Sequence, residues 1–209
     1  MGADARILIV CTGNICRSPF IERLLQRQLD ERRPGAERAV LVRSAGTGAL
    51  TGSAMDARAA AQLVAYGGDP AGFRARDLTS ALIAESDLVL TATRAHRGQV
   101  AAMYPKVLRQ VFTFRDFADL VAGVDGLSAR VRQMDSRAWL RQVTEQAAAS
   151  RGLNPPLEPA QADILDPFRR EDEVFVTMAQ QAVGSMPAVV RALSQSRIEQ
   201  ENVALNSTD

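Results

Sequence analysis

The chain has 209 residues, a formal net charge of +1 and 23% charged residues. This length suits one domain with a sizeable core, and the near-neutral charge gives no general attraction to nucleic acid or to a membrane surface. No apolar run approaches the roughly 20 residues that span a bilayer, and the first residues lack the layout of a signal peptide. The sequence therefore predicts a cytoplasmic globular protein with neither a nucleic-acid nor a membrane partner.

The first predicted elements are a strand over residues 6–10 and a helix over 18–32. Between them runs the segment Cys11-Thr12-Gly13-Asn14-Ile15-Cys16-Arg17-Ser18-Pro19. Gly13 and Asn14 are residue types that readily take a positive φ, which a chain wrapped around an anion requires. Ser18 is a good helix N-cap, and Pro19 fits the first helical position.

This loop combines a nucleophile with an anion-binding cation. Successive backbone N–H groups can form a nest for a tetrahedral oxyanion, and the helix that follows adds its positive dipole end. Arg17 can hold two phosphate oxygens with its planar guanidinium, and the same positive field favours the thiolate form of Cys11. A Cys and an Arg at this spacing are a weak signal alone, because a Cys after a buried strand is usually a core residue. The strand and helix on either side favour a covalent phosphoryl-transfer site.

Further strands are predicted near 40–44, 87–92 and 108–113, with helices near 56–66, 79–85, 94–102 and 171–194. This alternation predicts a parallel sheet with helices on both faces, an α/β fold of three layers. Ligands bind outside the carboxyl ends of the strands in such sheets, which is where Cys11 lies.

Residues 117–160 form an unusual stretch. Apolar spacing predicts a helix from about Ser128 to Ser150, followed by a turn-rich return through 152–159. Two interpretations are open: a lid beside the loop, or a helix packed on the sheet. Residues 196–209 are polar and are predicted to be a frayed tail.

The cysteines and the histidine limit metal chemistry. Cys11 and Cys16, the only cysteines, lie in one loop, which fits a reducing cytoplasm. With His96 they cannot build a typical structural zinc site, so neither a metal nor another cofactor is expected.

The loop and three later segments resemble one family. The family's loop reads C-x-G-N-x-C-R-S, and residues 11–18 match it throughout. The later matches are Ser44-Ala45-Gly46-Thr47, Asp87-Leu88-Val89-Leu90 and Asp166-Pro167-Phe168. The chain thus resembles the low-molecular-weight protein tyrosine phosphatases, a family that includes arsenate reductases of the same fold. The resemblance implies a four-stranded parallel sheet in the order 2-1-3-4, and one domain over 1–195 with a helical insertion at 117–160.

The resemblance also implies a mechanism. Cys11 attacks the phosphorus of a phosphotyrosine side chain, and water hydrolyses the resulting cysteinyl-phosphate to inorganic phosphate. Arg17 and the backbone amides of residues 12–17 bind the phosphoryl group. Asp166 is the candidate general acid and base, and Pro167 restricts its backbone. Asp163, three residues earlier, is the rival acid.

Supporting roles are implied in the same way. Ser18 donates to the Cys11 sulfur, and Asn14 with Ser44 holds the loop's shape. Cys16 either forms a reversible disulfide with Cys11 or is a buried spacer. The substrate mouth is lined by Ile15, Leu50 and Phe168.

Two departures from the family concern histidine. Phe73 stands where the family often has a histidine that supports the Asn-Ser network. His96 is predicted to lie on a surface helix without a catalytic role.

Three functions are compatible with the residues of the loop. A tyrosine phosphatase is favoured because the Cys, Arg and Asp are all present. An arsenate reductase that shuttles a disulfide needs further downstream cysteines, so only a version with an external thiol or glutaredoxin is compatible. A phosphate-binding regulatory module without turnover is the third.

Overall fold

The centre of the fold is a four-stranded parallel sheet. The computed structural model describes residues 5–32, 40–122, 135–153 and 155–194. Its strands are β1 (Ala5–Cys11), β2 (Val40–Gly46), β3 (Leu88–Thr91) and β4 (Val111–Thr113), in the order β2-β1-β3-β4. Each neighbouring pair is parallel. The predicted fold class and strand order are confirmed.

Helices follow the strands along the described parts of the chain. They are α1 (Arg17–Glu31), α2 (Ala57–Ala65), α3 (Ser80–Ala84), α4 (Arg94–Met103), α5 (Phe114–Ala122), α6 (Ser136–Ser150), α7 (Pro159–Ala162) and α8 (Asp172–Leu193), with a 3₁₀ turn at Pro105–Val107. None of them is both long enough and apolar enough to cross a membrane.

The alternation of side chains along β1 separates two cores. Ile7 and Ile9 join the larger core, which is built with α1, α2, α5, α6 and α8. Leu8 and Val10 point to the opposite face and pack with α3, α4 and the 3₁₀ turn. This is the period of two that a strand buried on both faces requires, and it puts a helical layer on each side of the sheet.

The structure differs from the predicted elements mainly at β4, α5 and α6. The strand predicted at 108–113 is only β4, because residues 108–110 still belong to the turn that ends the 3₁₀ segment. The helix α5 was not predicted, although Phe114, Phe117, Ala118 and Val121 give it a buried face with helical spacing. The predicted helix from about Ser128 begins at Ser136 in the described chain, and residues 128–134 and the tail 196–209 lie outside the described residues.

Helix α6 packs on the sheet away from the Cys11 loop. Its residues Trp139, Leu140 and Val143 enter the larger core. Arg137 donates from Nε to Oδ1 of the buried Asp87 at 2.8 Å, immediately before β3 begins. The amino ends of parallel strands lie at the edge opposite to their carboxyl ends, so α6 is anchored at the end of the sheet remote from Cys11. Residues 136–150 therefore form a packed helix and not a lid over the loop.

Candidate active site

The loop between β1 and α1 turns its carbonyl groups outward. The carbonyl oxygens of residues 11, 12 and 13 accept hydrogen bonds from the backbone N–H groups of residues 47, 48 and 50, at 2.9, 3.1 and 3.0 Å. The Ile15 carbonyl accepts from the Asp56 N–H at 2.9 Å. Because the carbonyls are satisfied on the outside, the loop's own N–H groups are available to an anion on the inside.

Gly46 permits this close approach of the second strand to the loop. A Cβ atom at Gly46 would lie 2.3 Å from the carbonyl oxygen of Thr12, a distance that real side chains do not reach. Glycine is therefore required where β2 ends beside the loop.

Asn14 holds the curvature of the loop. It is buried with a φ of 53°, in the left-handed region that asparagine tolerates. Its Nδ2 donates to Ser18 Oγ and Ser44 Oγ, each at 2.8 Å, and its Oδ1 accepts from the Arg76 N–H at 2.8 Å. The expectation of a positive φ is confirmed for Asn14 but is wrong for Gly13, because the turn needs only one left-handed residue.

The network continues from Ser44 to a buried acid. Ser44 donates its hydroxyl hydrogen to Glu22 Oε2 in a short hydrogen bond. Burial raises the pKa of Glu22 above its ordinary value, and the Ser44 hydrogen bond opposes that rise. Phe73, where the family often has a histidine, is fully buried and joins the larger core instead. The loop support in this chain thus runs through Asn14, Ser44 and Glu22.

Ser18 faces the Cys11 sulfur and does not cap the helix. The N-cap of α1 is Cys16, without a side-chain capping hydrogen bond, so the predicted capping role of Ser18 is wrong. Ser18 Oγ lies 2.9 Å from Cys11 Sγ and already accepts a hydrogen from Asn14. Its own hydrogen is therefore free to point at the sulfur, where it stabilises a thiolate.

Cys16 differs from Cys11 in its surroundings. Burial, followed by the nearby Asp56 carboxylate, raises the pKa of the Cys16 thiol from 9.0 to about 12. Cys16 therefore stays a neutral thiol near neutral pH and cannot replace Cys11 as the nucleophile. Both cysteines are free, so the predicted disulfide between them stays a prediction.

Arg17 and Asp166 meet across the cleft. Arg17 Nη2 donates to Asp166 Oδ2 at 2.7 Å, although the two residues are 149 positions apart. The Arg17 side chain is 5% exposed, whereas that of Asp166 is 52% exposed. The guanidinium is thus buried beside the loop, and the carboxyl group reaches the cleft from its open side.

Backbone hydrogen bonds fix the segment that carries Asp166. The Ile164 N–H donates to the Ala92 carbonyl at 2.8 Å, just after β3 ends. Asp166 Oδ1 accepts from the Phe168 N–H at 3.2 Å, across Pro167. The proline lies inside this short turn, which restricts the backbone that carries the carboxyl group.

Asp163, the rival acid, is engaged elsewhere. Its Oδ1 accepts from the backbone N–H of Arg94 at 2.8 Å, at the first residue of α4. Its side chain also pairs with the Arg94 guanidinium at 3.4 Å. A carboxylate at a helix N-terminus is stabilised by the free N–H groups there, so Asp163 acts as an anchor between α4 and the Asp166 segment.

His96 lies against the loop, contrary to the expectation of a surface position. It is 6% exposed, and its Nε2 lies 2.9 Å from Thr12 Oγ1. Its Nδ1 lies 2.7 Å from Thr93 Oγ1, the N-cap residue of α4. Burial, aided by the Arg17 guanidinium, lowers the pKa of His96 from 6.5 to about 4. The ring is therefore neutral near pH 7.

This low pKa predicts a pH dependence of stability. Between pH 6.5 and about 4 the unfolded chain binds a proton at His96 and the folded chain does not. The free energy of unfolding therefore decreases as the pH falls through this range. The difference corresponds to on the order of 3 kcal/mol of unfolding free energy. Urea unfolding at about pH 7 and about pH 4.5 should show a smaller loss for His96→Gln than for the wild type. Equal losses in the two proteins would refute this assignment.

The cleft above the loop has an apolar mouth. It is lined by Cys11, Thr12, Gly13, Ile15, Cys16, Arg17, Gly48, Leu50, Asp166 and Phe168. Leu50 and Phe168 are 45% and 42% exposed, and they flank the opening on two different segments. The structure thus brings together the predicted nucleophile, cation, acid and mouth residues, and it adds Gly48. A polar floor under an apolar rim suits an anionic group attached to an aromatic ring.

The side chains that face the cleft do not form a cluster of metal ligands. Among the residues that the structure describes, no three His, Cys, Asp or Glu side chains lie close enough to hold a metal ion. The groups that face the cleft are a thiol, hydroxyls, backbone amides, a guanidinium and a carboxyl. Together they provide a nucleophile, an oxyanion cradle and a proton carrier.

Comparison with known proteins places this geometry in context. The model of the family described as "Low molecular weight phosphotyrosine protein phosphatase" matches residues 6–126. The low molecular weight protein-tyrosine-phosphatase Etp of Escherichia coli K12 is 41% identical over 108 residues, which is 52% of this chain and 68% of Etp.

Solved structures extend the similarity over most of the chain. Vibrio vulnificus Wzb in complex with benzylphosphonate aligns with a TM-score of 0.62 and 25% identity, covering 90% of this chain and 99% of Wzb. The YwlE arginine phosphatase from Geobacillus stearothermophilus aligns with a TM-score of 0.62 and 27% identity, covering 90% of this chain and 92% of YwlE.

Proposed function

The chain belongs to the low molecular weight phosphotyrosine protein phosphatase family, and from this premise we propose that it hydrolyses phosphotyrosine in proteins through a cysteinyl-phosphate on Cys11. The convergence of Cys11, Arg17 and Asp166 on one cleft carries the proposal. Each group has one role in phosphoryl transfer, and none of the three duplicates another. The roles of the individual residues in the two chemical steps are part of the same proposal.

The first step transfers the phosphoryl group to the enzyme. The Cys11 thiolate attacks phosphorus, the bond from phosphorus to the tyrosine oxygen breaks, and that oxygen takes a proton from the Asp166 carboxyl group. The Asp166 carboxyl can face the leaving oxygen only if Arg17 turns to the phosphate. An incoming phosphate competes for Arg17, since a dianion attracts the guanidinium more strongly than one carboxylate.

The second step regenerates the enzyme. Water attacks the phosphorus of the cysteinyl-phosphate, the S–P bond breaks, and the Asp166 carboxylate accepts the water proton. Inorganic phosphate and the Cys11 thiolate are released, and Ser18 stabilises the returning negative charge on sulfur. The backbone amides of the loop and Arg17 hold the equatorial oxygens throughout.

The cleft mouth supports an aryl substrate. Ile15, Leu50 and Phe168 offer apolar contact to a phenyl ring. A phosphoarginine side chain would bring a charged guanidinium to this rim, where Ile15, Leu50 and Phe168 have no side-chain acceptor for its N–H groups. We therefore assign phosphotyrosine and not phosphoarginine to this chain, although YwlE carries the name of an arginine phosphatase.

The other two functions have less support. An arsenate reductase has little use for a carboxyl group aimed into the cleft, and this chain has no cysteine beyond Cys16 with which to pass on a disulfide. A silent binding module would not need Asp166. We further propose that residues 1–195 act as one catalytic domain with a helical insertion at about 117–160. We also propose that the protein works in the cytoplasm, where its free thiols stay reduced.

A substrate panel tests the assignment. Wild-type protein is incubated with matched peptides carrying phosphotyrosine, phosphoserine or phosphoarginine, and with arsenate plus glutathione or glutaredoxin. We expect phosphate release from the phosphotyrosine peptide, with kcat/KM at least about 100-fold above that for phosphoserine, because phosphoserine has no aromatic ring to contact the apolar mouth. Preferred hydrolysis of phosphoarginine, or thiol oxidation that depends on arsenate without phosphotyrosine turnover, would refute it.

A further inference from the structure

His96 stands between two threonine hydroxyl groups beside the loop. Its Nδ1 is 2.7 Å from Thr93 Oγ1, and its Nε2 is 2.9 Å from Thr12 Oγ1. Thr93 begins α4, and Thr12 immediately follows the nucleophile. The imidazole therefore links the start of a helix to a residue that lines the cleft.

The hydrogen bonds around Thr93 favour one position for the hydrogen of the neutral His96 ring. Thr93 Oγ1 accepts from the backbone N–H of His96 at 3.3 Å, as an N-cap hydroxyl does. Its own hydrogen is then free to point at Nδ1, which accepts it. We therefore assign the hydrogen of the neutral ring to Nε2, which donates to Thr12.

The same reasoning gives the direction of the Thr12 hydroxyl hydrogen. Thr12 Oγ1 accepts from His96 Nε2 at 2.9 Å and lies 3.4 Å from Arg17 Nη2, a second donor. With donors on two sides, the hydroxyl hydrogen points away from both. Thr12 lines the cleft next to Cys11, so the phosphoryl oxygens of a bound substrate are the acceptors within reach.

We propose that His96 is a positioning residue that fixes the Thr12 hydroxyl as a hydrogen-bond donor to the transferring phosphoryl group. The loop then offers a side-chain donor in addition to its backbone amides and Arg17. This donor is oriented before substrate binds, which makes it effective for charge that develops in the transition state. The inference rests on the proposed phosphatase function and deepens it.

A double-mutant cycle tests this role. The variants are Thr12→Val, His96→Phe, the double variant, and the conservative replacements Thr12→Ser and His96→Gln, whose side chains keep the required donors. Gln99→Ala is the matched control on the same helix, since Gln99 is exposed. The readouts are kcat and KM for p-nitrophenyl phosphate and the inhibition constant of orthovanadate, with thermal unfolding as a check of folding.

We expect the two single variants to lose catalytic efficiency to a similar extent. Thr12→Val and His96→Phe should each lower kcat/KM about tenfold and weaken vanadate binding to a similar degree, because each removes or misdirects one hydrogen bond to a charged group. The double variant should be no worse than Thr12→Val alone, since His96 acts through Thr12. Thr12→Ser and His96→Gln should restore most of the activity, and Gln99→Ala should equal the wild type.

Two results would overturn the inference. One is wild-type turnover in Thr12→Val, and the other is a double variant whose losses are the product of the single losses. Failure of the proposed function has a different signature, which is absence of turnover in the wild type itself. In that case the same cycle on vanadate dissociation constants still decides whether His96 acts through Thr12.

Discussion

Replacement of Cys11 by serine is expected to lower kcat for p-nitrophenyl phosphate by at least about four orders of magnitude. A serine hydroxyl is far less acidic than a thiol, and the Ser18 hydroxyl at 2.9 Å can stabilise a thiolate but cannot deprotonate an alcohol. The oxyanion cradle does not depend on the sulfur. Vanadate or phosphate should therefore still bind, which isothermal titration calorimetry measures.

Cys16→Ser is the matched control for this prediction. Cys16 shares the loop with Cys11, but its pKa of about 12 keeps it a neutral thiol. Its replacement should leave turnover nearly intact. Substantial turnover in Cys11→Ser, or a comparable loss in Cys16→Ser, would remove Cys11 as the nucleophile.

Replacement of Asp166 by asparagine should slow hydrolysis in a way that depends on the leaving group. The quantity to compare is kcat/KM, which reports the steps up to departure of the leaving group and not the later hydrolysis of the cysteinyl-phosphate. For phenyl phosphate, whose phenolate needs a proton, we expect a loss in kcat/KM of about 10²- to 10⁴-fold. For 2,4-dinitrophenyl phosphate, whose leaving group departs without a proton, the loss should be much smaller. Steady-state kinetics over a series of substituted phenyl phosphates measures this slope.

Asp163→Asn separates the two acids. Asp163 holds the Arg94 N–H at 2.8 Å and supports the segment that carries Asp166, so its replacement should lower activity by a similar factor for every leaving group. A steep dependence on the leaving group in Asp163→Asn, combined with a flat one in Asp166→Asn, would exchange their roles.

The chemistry of the loop could be predicted from the sequence because it is local. The strand, the anion-wrapping loop and the helix are contiguous, and Cys11, Asn14 and Arg17 occupy the positions that the pattern assigns to them. Local patterns also have limits. The same Ser18 that fits an N-cap is taken by the Cys11 sulfur and the Asn14 amide, and α1 begins without a side-chain cap.

Contacts between distant segments could not be predicted in the same way. The position of Asp166 came from resemblance, and its pairing with Arg17 joins residues 149 positions apart. His96 was missed because nothing in its own sequence neighbourhood marks a residue that faces the loop. One signal in the sequence could have indicated this position of His96. Thr93 follows β3 and is the N-cap residue of α4, so α4 starts at the edge of the sheet where Cys11 lies, and its first turn contains His96.

The proposed mechanism requires that the phosphoryl group is transferred to the Cys11 sulfur before it reaches water. The most direct test is rapid acid quenching of the wild type during turnover of p-nitrophenyl phosphate, followed by mass spectrometry of the peptide that contains residues 11–17. We expect a phosphoryl group on the Cys11 sulfur during turnover and none in Cys11→Ser. Turnover without phosphoryl on Cys11, or with phosphoryl on another residue of the loop, would contradict it.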